Sequence, residues 1–553
     1  MRLLITACLL MVLADGCKKS SADTTPPVVQ PNFLTAKTLI NNQAAAAPNR
    51  NTTLLPVIKF IFSANIDRST VSSSISFINK LGTDVPYQLS YENHDSAIVI
   101  QPAASLTSIT AYSVSIATSL TSIQHGKLTT AAILNFSTAI DPTDKFPRIS
   151  DSALLDLVEK QTFKYFWDFA HPVSGLARER NTSGETVTSG GSGFGIMSIP
   201  VAVNRSFITR AEGLARMQKI VGFLKNTAQK FHGAFPHWLN GGTGVVIPFS
   251  TKDDGADLVE TSYLMAGLLT ARQYFNTADA GETTLRSDIN SLWNAVEWSW
   301  FRQNNQDVLY WHWSPDYNWD MNFPIRGWNE ALITYVLASS SATYSVPKTV
   351  YDKGWAGNSG FINNNTYYGY QLPLGPPSGG PLFFAHYSFL GINPHDLTDA
   401  YANYWTQNRN HTLINYNYCK ANPKSYFGYS DSCWGLTASD ISNGYTASSP
   451  TNDVGVIAPT AALSSFPYTP VESMQALKFY YYRMGDKLWG PYGFYDAFSL
   501  DDIWFANSTL AIDQGPVIAM IENYRSGLLW NLFMSCPEVK TGMQNLGFQS
   551  PNL

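Results

Sequence analysis

The run Lys252-Asp253-Asp254-Gly255-Ala256-Asp257-Leu258-Val259-Glu260-Thr261 carries four carboxylates in eight residues. On a helix, positions three and four apart share a face, so Asp253, Asp257 and Glu260 are expected to project as one acidic stripe. The apolar turns from Ser262 to Ala271 make this the entrance to a buried helix. Grouped carboxyl groups at the mouth of a core are what glycoside cleavage uses as acid and base. A plainer reading competes with it. Asp253 and Asp254 could merely complement a helix N-terminus, worth ~0.3–1 kcal/mol.

Sugars present apolar faces edged with hydroxyls, so their sites combine aromatic platforms with polar and acidic groups. Tyr310-Trp311-His312-Trp313-Ser314-Pro315-Asp316-Tyr317-Asn318-Trp319-Asp320 is such a mixture, and Gly327-Trp328-Asn329-Glu330 follows it at the head of an apolar helix. Tyr492-Gly493-Phe494-Tyr495-Asp496-Ala497-Phe498 is another, followed by Ile512-Asp513-Gln514-Gly515-Pro516 at the start of a helix. Against function stand core packing for the aromatics, a first-turn dipole role for Glu330 and an N-cap role for Asp513.

The elements that must hold these groups fall into two textures. All fifteen tryptophans lie at or beyond Trp167. Before that, residues 31–140 show short alternating runs such as Val57–Phe62, Ser96–Ile100, Tyr112–Ile116 and Ala132–Thr138, which predict an Ig-like β-sandwich of about seven strands. It shows no cluster of aromatics and reads as a spacer. Residues 141–150 read as a linker. From 151 to 553 the apolar spacing turns helical, beginning with Leu154, Leu155, Val158, Phe163, Phe166 and Trp167. Further helices are expected at 193–203, 208–230, 256–275, 284–302, 328–340, 397–409, 470–484 and 515–532. Ten to twelve helices with few strands argue against a parallel α/β fold and fit an all-α (α/α)6 toroid, with long loops at one end building the site.

The N-terminus reads as an export signal over residues 1–16: Arg2, the apolar run Leu3–Leu13, then Ala14-Asp15-Gly16 before Cys17. It resembles a bacterial lipoprotein signal, with Cys17 as the lipidated residue and residues 17–30 as a tether. That implies the cell envelope, reached through a lipid anchor. Cys419, Cys433 and Cys536 remain, and spacing does not decide whether Cys419 and Cys433 pair. Neither CxxC nor HExxH occurs, and the nine histidines show no metal-ligand spacing, so no metal or cofactor is expected. A net charge of -5 without a basic block argues against nucleic acid.

Together DDGADLVET, RGWNEA, YGFYDAF and AIDQGP resemble the bacterial glycoamylase-like family. So do the opening LLDLVEKQTFKYFWDFA and the Gly190-Gly191-Ser192-Gly193-Phe194-Gly195 turn. The likeness spans about residues 150–545. It implies an (α/α)6 inverting hydrolase of β-1,2-linked glucan, endo-acting or disaccharide-releasing. It makes Glu330 the general acid. Asp513 is taken as the base, with Asp257 and Glu260 as substrate-orienting groups or the alternative base. Inversion calls for ~6.5–9.5 Å between the two carboxyls, a distance relaxed if a substrate hydroxyl relays the proton. Asp253, His312, Trp313, Arg326, Trp328, Tyr495 and Asp496 are expected along the substrate path. The alternatives are a non-catalytic glycan-binding lipoprotein and a glucoamylase-type α-glucan hydrolase.

Overall fold

The computed structural model describes residues 32–553. The export signal, Cys17 and the tether fall outside the described residues. The described residues divide into two compact units, one ending at Ala139 and one running from Ile140 to Leu553.

The first unit is a β-sandwich. Its strands are β1 (Thr35–Ile40), β2 (Gln43–Ala44), β3 (Asn49–Thr52), β4 (Ile58–Phe62), β5 (Ile75–Asn79), β6 (Tyr87–Glu92), β7 (Ala97–Pro102), β8 (Ala111–Ile116) and β9 (Ala132–Thr138). One sheet runs β2-β1-β4-β7-β6, the other β3-β9-β8-β5, with β3 parallel to β9 and every other pair antiparallel. Alternate residues point inward, as the pleat requires: Ile58, Phe60 and Phe62 from β4, and Tyr112, Val114 and Ile116 from β8. They meet Phe77, Ile98, Ile100, Leu134 and Phe136 in one core between the sheets.

The second unit is helical: α1 (Asp151–Trp167), α2 (Ser189–Asn204), α3 (Arg210–Asn226), α4 (Leu258–Tyr274), α5 (Ala280–Asn294) and α6 (Leu332–Ser340). There follow α7 (Lys348–Val350), α8 (Tyr404–Ala421), α9 (Pro459–Leu463), α10 (Pro470–Lys478), α11 (Gly485–Leu488), α12 (Ala511–Ser526), α13 (Leu528–Met534) and α14 (Pro537–Leu546). Apolar inner helices form a ring. In it α2 packs on α4 and α12, α4 on α6, α9 on α12, and both α6 and α12 on the turn Tyr387–Leu390. Outside it α1 backs α12 and α2, α3 backs α5 and α2, and α13 and α14 back α4 and α6. This is the paired-helix toroid, with two 3-10 turns (Leu382–Ala385 and Tyr387–Leu390) in place of one inner helix.

Several boundaries differ from the sequence expectation. The Gly190–Gly195 run is not a turn but the first half of α2. A Cβ on Gly193 would sit 2.2 Å from the Tyr263 carbonyl oxygen, so glycine is what lets α2 and α4 touch backbone to backbone. The helix expected over 515–532 breaks at Gly527, whose φ of 70° ends α12. That expected at 284–302 stops at Asn294 and resumes as a 3-10 turn at Trp298–Arg302. That expected at 397–409 forms later, as α8. Residues 141–150 are not a free linker. The Lys145 N–H donates to the Tyr482 carbonyl at 2.7 Å, and Phe146 stacks on Tyr481 with centroids 4.6 Å apart. Cys419, Cys433 and Cys536 are all free and buried.

Candidate active site

Each candidate carboxylate sits where a loop enters an inner helix, but the local geometry is not a single helical stripe. α4 begins at Leu258, so of the three acids only Glu260 lies in it. Asp257 is in a two-residue strand, Ala256–Asp257, paired with His312–Trp313, and it caps α4. Its Oδ1 accepts the Val259 and Glu260 N–H groups at 3.0 and 2.9 Å. Its Oδ2 lies 3.1 Å from His237 Nδ1 and 3.7 Å from His312 Nδ1. Asp253 precedes the strand in a tight turn, buried, 3.4 Å from His312 Nδ1. Glu260 Oε2 accepts the Gly190 N–H at 2.7 Å and Thr188 Oγ1 at 3.3 Å. A Cβ on Gly190 would strike that oxygen at 2.5 Å.

The electrostatics of this side follow from those contacts. Burial pushes Asp257 up, but the His237 hydrogen bond, the imidazole charges and the Glu260 N–H outweigh it and hold it below the usual carboxylate range. Burial opposes the charge on His237, yet Glu260, Asp257 and Asp253 lift it to about 9. His312 rises for the same reason, through Asp253 and Asp257. Glu260 has only part of this support, and burial raises it. His237, Asp253 and Asp257 each bring one ligand atom within 4.8 Å of the others, a grouping that could take a cation. Asp257 Oδ1 is already committed to the helix, and two imidazoles already balance the acids.

Glu330 precedes α6 rather than lying inside it. The Ser388 hydroxyl donates to its carbonyl and in turn accepts the Ile333 N–H at 3.0 Å, so the turn Tyr387–Leu390 holds the acid in place. Burial, helped by the charges of Glu260 and Asp257, raises the Glu330 carboxyl to about 7. Beyond that same turn, on which α12 also packs, Asp513 stands in the first turn of α12, two residues past Ala511, with Pro516 inside the helix; it is not an N-cap. It is buried, as is Asp496, and the two carboxyl groups interact directly. Burial and mutual repulsion raise Asp513 strongly, and burial with the Asp440 charge raises Asp496. Asp496 Oδ1 and Asp513 Oδ2 are both buried without a donor. One proton held between them would satisfy both.

Glu260, Glu330 and Ile512, the neighbour of Asp513, line one cavity of about 430 Å³. Its walls add His237, Trp238, Phe249 and Trp311 from one side, and Phe383, Tyr387, Tyr445 and Arg180 from the other. Phe249 is 50% exposed and stacks on His237 at 4.3 Å; Tyr445 is 49% exposed. These are aromatic faces open to a ligand. A larger open groove of about 1040 Å³ lies by the first turn of α1, α10 and the end of α12, but its only carboxylate is Asp151. Chemistry, not size, selects the smaller cavity.

Several residues expected along the substrate path lie elsewhere. Trp328 is buried against Phe389 and Tyr404. Trp313 packs on Phe231, His232 and Trp300. Tyr495 rests on Gly490, and Arg326 is exposed outside the cavity lining. His312 stands behind the cavity as a partner of acids, and Asp496 belongs to the acid pair. Conversely, the sequence reading missed His237, Phe249, Arg180, Asp440, Tyr387 and Tyr445. Only the aromatic richness of the loops hinted at some of them.

Comparison with known proteins shows what the two units are similar to. Residues 322–537 match a family model described as "Putative glucoamylase", and residues 23–138 match a bacterial Ig-like domain. The chain is 48% identical over 421 residues to an exo β-1,2-glucooligosaccharide sophorohydrolase (non-reducing end) of Parabacteroides distasonis. That match takes in 72% of this chain and 58% of the relative, so the chain spans little more than half of that protein's length. It is 53% identical to the endo-β-1,2-glucanase of Chitinophaga pinensis solved with sophorotriose and glucose, covering 73% of this chain and all of that one, with a TM-score of 0.72. It is 39% identical to a β-1,2-glucanase of Parabacteroides distasonis, covering 94% of this chain and 73% of that one, with a TM-score of 0.71.

Proposed function

The chain belongs to the bacterial glycoamylase-like family, and from that premise we propose that it hydrolyses β-1,2-linked glucan with inversion. The observation that carries the proposal is one cavity lined by Glu330, a carboxyl raised to about 7, and by Tyr387, whose phenol feels the charges of both Glu330 and Asp513, the latter one residue past the lining residue Ile512. The raised Glu330 is protonated near neutral pH and donates to the departing glycosidic oxygen. Water, or a substrate hydroxyl that relays its proton to the protein, faces the anomeric carbon from the other side. The acid pair, holding one proton and one charge, accepts the released proton. The C–O bond to the leaving sugar breaks, a C–OH bond forms, and solvent exchange resets both acids. Asp257 and Glu260, with His237, orient sugar hydroxyls against the α4 wall, and Phe249 and Tyr445 offer their rings to sugar faces.

Two relatives named for β-1,2-glucan and one named for releasing sophorose support this substrate. Neither a purely glycan-binding role nor α-glucan hydrolysis has comparable support. The deciding experiment is product analysis on linear β-1,2-glucan with soluble starch alongside. Short β-1,2-gluco-oligosaccharides are expected, and their lengths over time separate internal from end-directed attack. Glucose from starch with no product from β-1,2-glucan would overturn the reading. We place the protein at the cell envelope through Cys17, on the residues of the export signal alone. Labelled fatty acid should enter the wild-type protein and not Cys17→Ala.

A further inference from the structure

Arg180 has no part in the chemistry above, yet it lies in the cavity wall at the centre of a closed set of contacts. Its backbone bridges to Leu510, the residue before α12. Its Nε faces both oxygens of Glu179 at 3.2 and 3.0 Å, and its Nη1 faces both oxygens of Asp440 at 3.2 and 3.1 Å. Asp440 Oδ2 also accepts the Ser508 hydroxyl at 2.5 Å. The Asp440 backbone N–H donates to Asp496 Oδ2 at 2.7 Å, and the Asp496 N–H donates to the Ser508 carbonyl at 3.0 Å. Residues 260 positions apart are thereby clasped beside Asp496 and Asp513.

The charges there need such a clasp. Facing the acid pair are Asp440, Arg180 and the phenols of Tyr387 and Tyr445, with Glu179 on the far side of the guanidinium. Asp440 alone would favour keeping both protons on the pair, and a fully protonated pair cannot act as a base. The guanidinium works in the opposite direction. The two orphan oxygens, Asp496 Oδ1 and Asp513 Oδ2, call for one proton between them. That leaves Asp513 Oδ1 as the acceptor.

We propose that Arg180 is a positioning residue that, through Asp440, keeps the Asp496–Asp513 pair at one shared proton and so leaves Asp513 able to act as the base. This rests on the hydrolase reading above, and it names how that base is kept ionised. The test is the pH dependence of kcat/KM for the wild type, Arg180→Gln, Arg180→Lys and Asp440→Asn on β-1,2-glucan. Removing the cation from beside the pair should move the acidic limb of Arg180→Gln upward by about one pH unit. Arg180→Lys should stay near the wild type. Asp440→Asn deletes a like charge and should move the limb downward, a sign reversal that a merely structural role would not produce. An unmoved limb in Arg180→Gln, or shifts of the same sign in both variants, would overturn the proposal.

An infrared titration of protonated carboxyl groups reads the same pair without turnover. A neutral-pH carboxylic band absent from Asp513→Asn should titrate at higher pH in Arg180→Gln. No such band, or one with an unmoved midpoint, counts against the clasp. If the wild type cleaves no β-1,2-glucan, the substrate reading fails, while the infrared midpoint still decides the role of Arg180.

Discussion

At the start of α4, Asp257 gives one oxygen to two helix N–H groups and turns the other toward two imidazoles. At the start of α12, Asp513 caps nothing and faces a second carboxyl group. Both are buried aspartates at the mouth of an inner helix. The α4 wall is rich in donors, so its anchor acid stays charged and presents fixed dipoles to a ligand. The α12 wall is poor in donors and crowded with like charge, so burial and repulsion push both its acids up. Residue type is the same on both walls; the supply of hydrogen-bond donors and cations separates the wall we propose for binding from the wall we propose for reaction.

The largest expected effect tests the acid that stands between the walls. Glu330→Gln should lower kcat by ~10³–10⁴ with KM little changed, since an amide cannot supply the proton. Near-normal turnover would remove Glu330 from the acid role. Next, Asp513→Asn should cost ~10²–10³ in kcat on the same footing. Asp257→Asn should instead act mainly through KM, with the helix cap kept because an asparagine oxygen accepts the same Val259 and Glu260 N–H groups. Equal kcat losses in the two variants would erase the distinction between the walls.

The pH profile sharpens the same contrast. Glu330 must be protonated to act, so kcat/KM should fall as pH rises through about 7. On the acidic side it should fall as the second proton returns to the Asp496–Asp513 pair, whereas Asp257, held low, should contribute no limb there. A profile flat across pH 6–8 would contradict both assignments. The smallest effect concerns the first unit. Deletion through residue 139 should leave activity on soluble glucan nearly intact. Extending the cut to residue 149 should lower the melting temperature by a few degrees, because Lys145 and Phe146 pack on the helical unit.

What could be read from the chain was local. The alternating runs of β4, β7, β8 and β9 and the helical spacing of α1 and α4 were legible because burial stamps its period on neighbouring residues. Glu330 and Asp513 were legible because polar residues at loop-to-helix junctions stand out against apolar surroundings. Gly190–Gly195 misled, because its role is a contact with α4 some seventy residues away: Gly190 with Glu260 and Gly193 with Tyr263. Trp328 and Trp313 misled for a related reason: an aromatic ring beside an acid in sequence need not face the same cavity.

By itself, then, the sequence determined two units of different texture, a set of candidate carboxylates at loop-to-helix junctions and the family they resemble. Only the tertiary structure decided which acid is charged, which holds a proton and which ring reaches the cavity. A carboxyl group's protonation depends on burial and on neighbours within a few ångströms. Here those neighbours, His237 to Asp257 and Arg180 to Asp440 to Asp496, come from chain segments that only folding brings together.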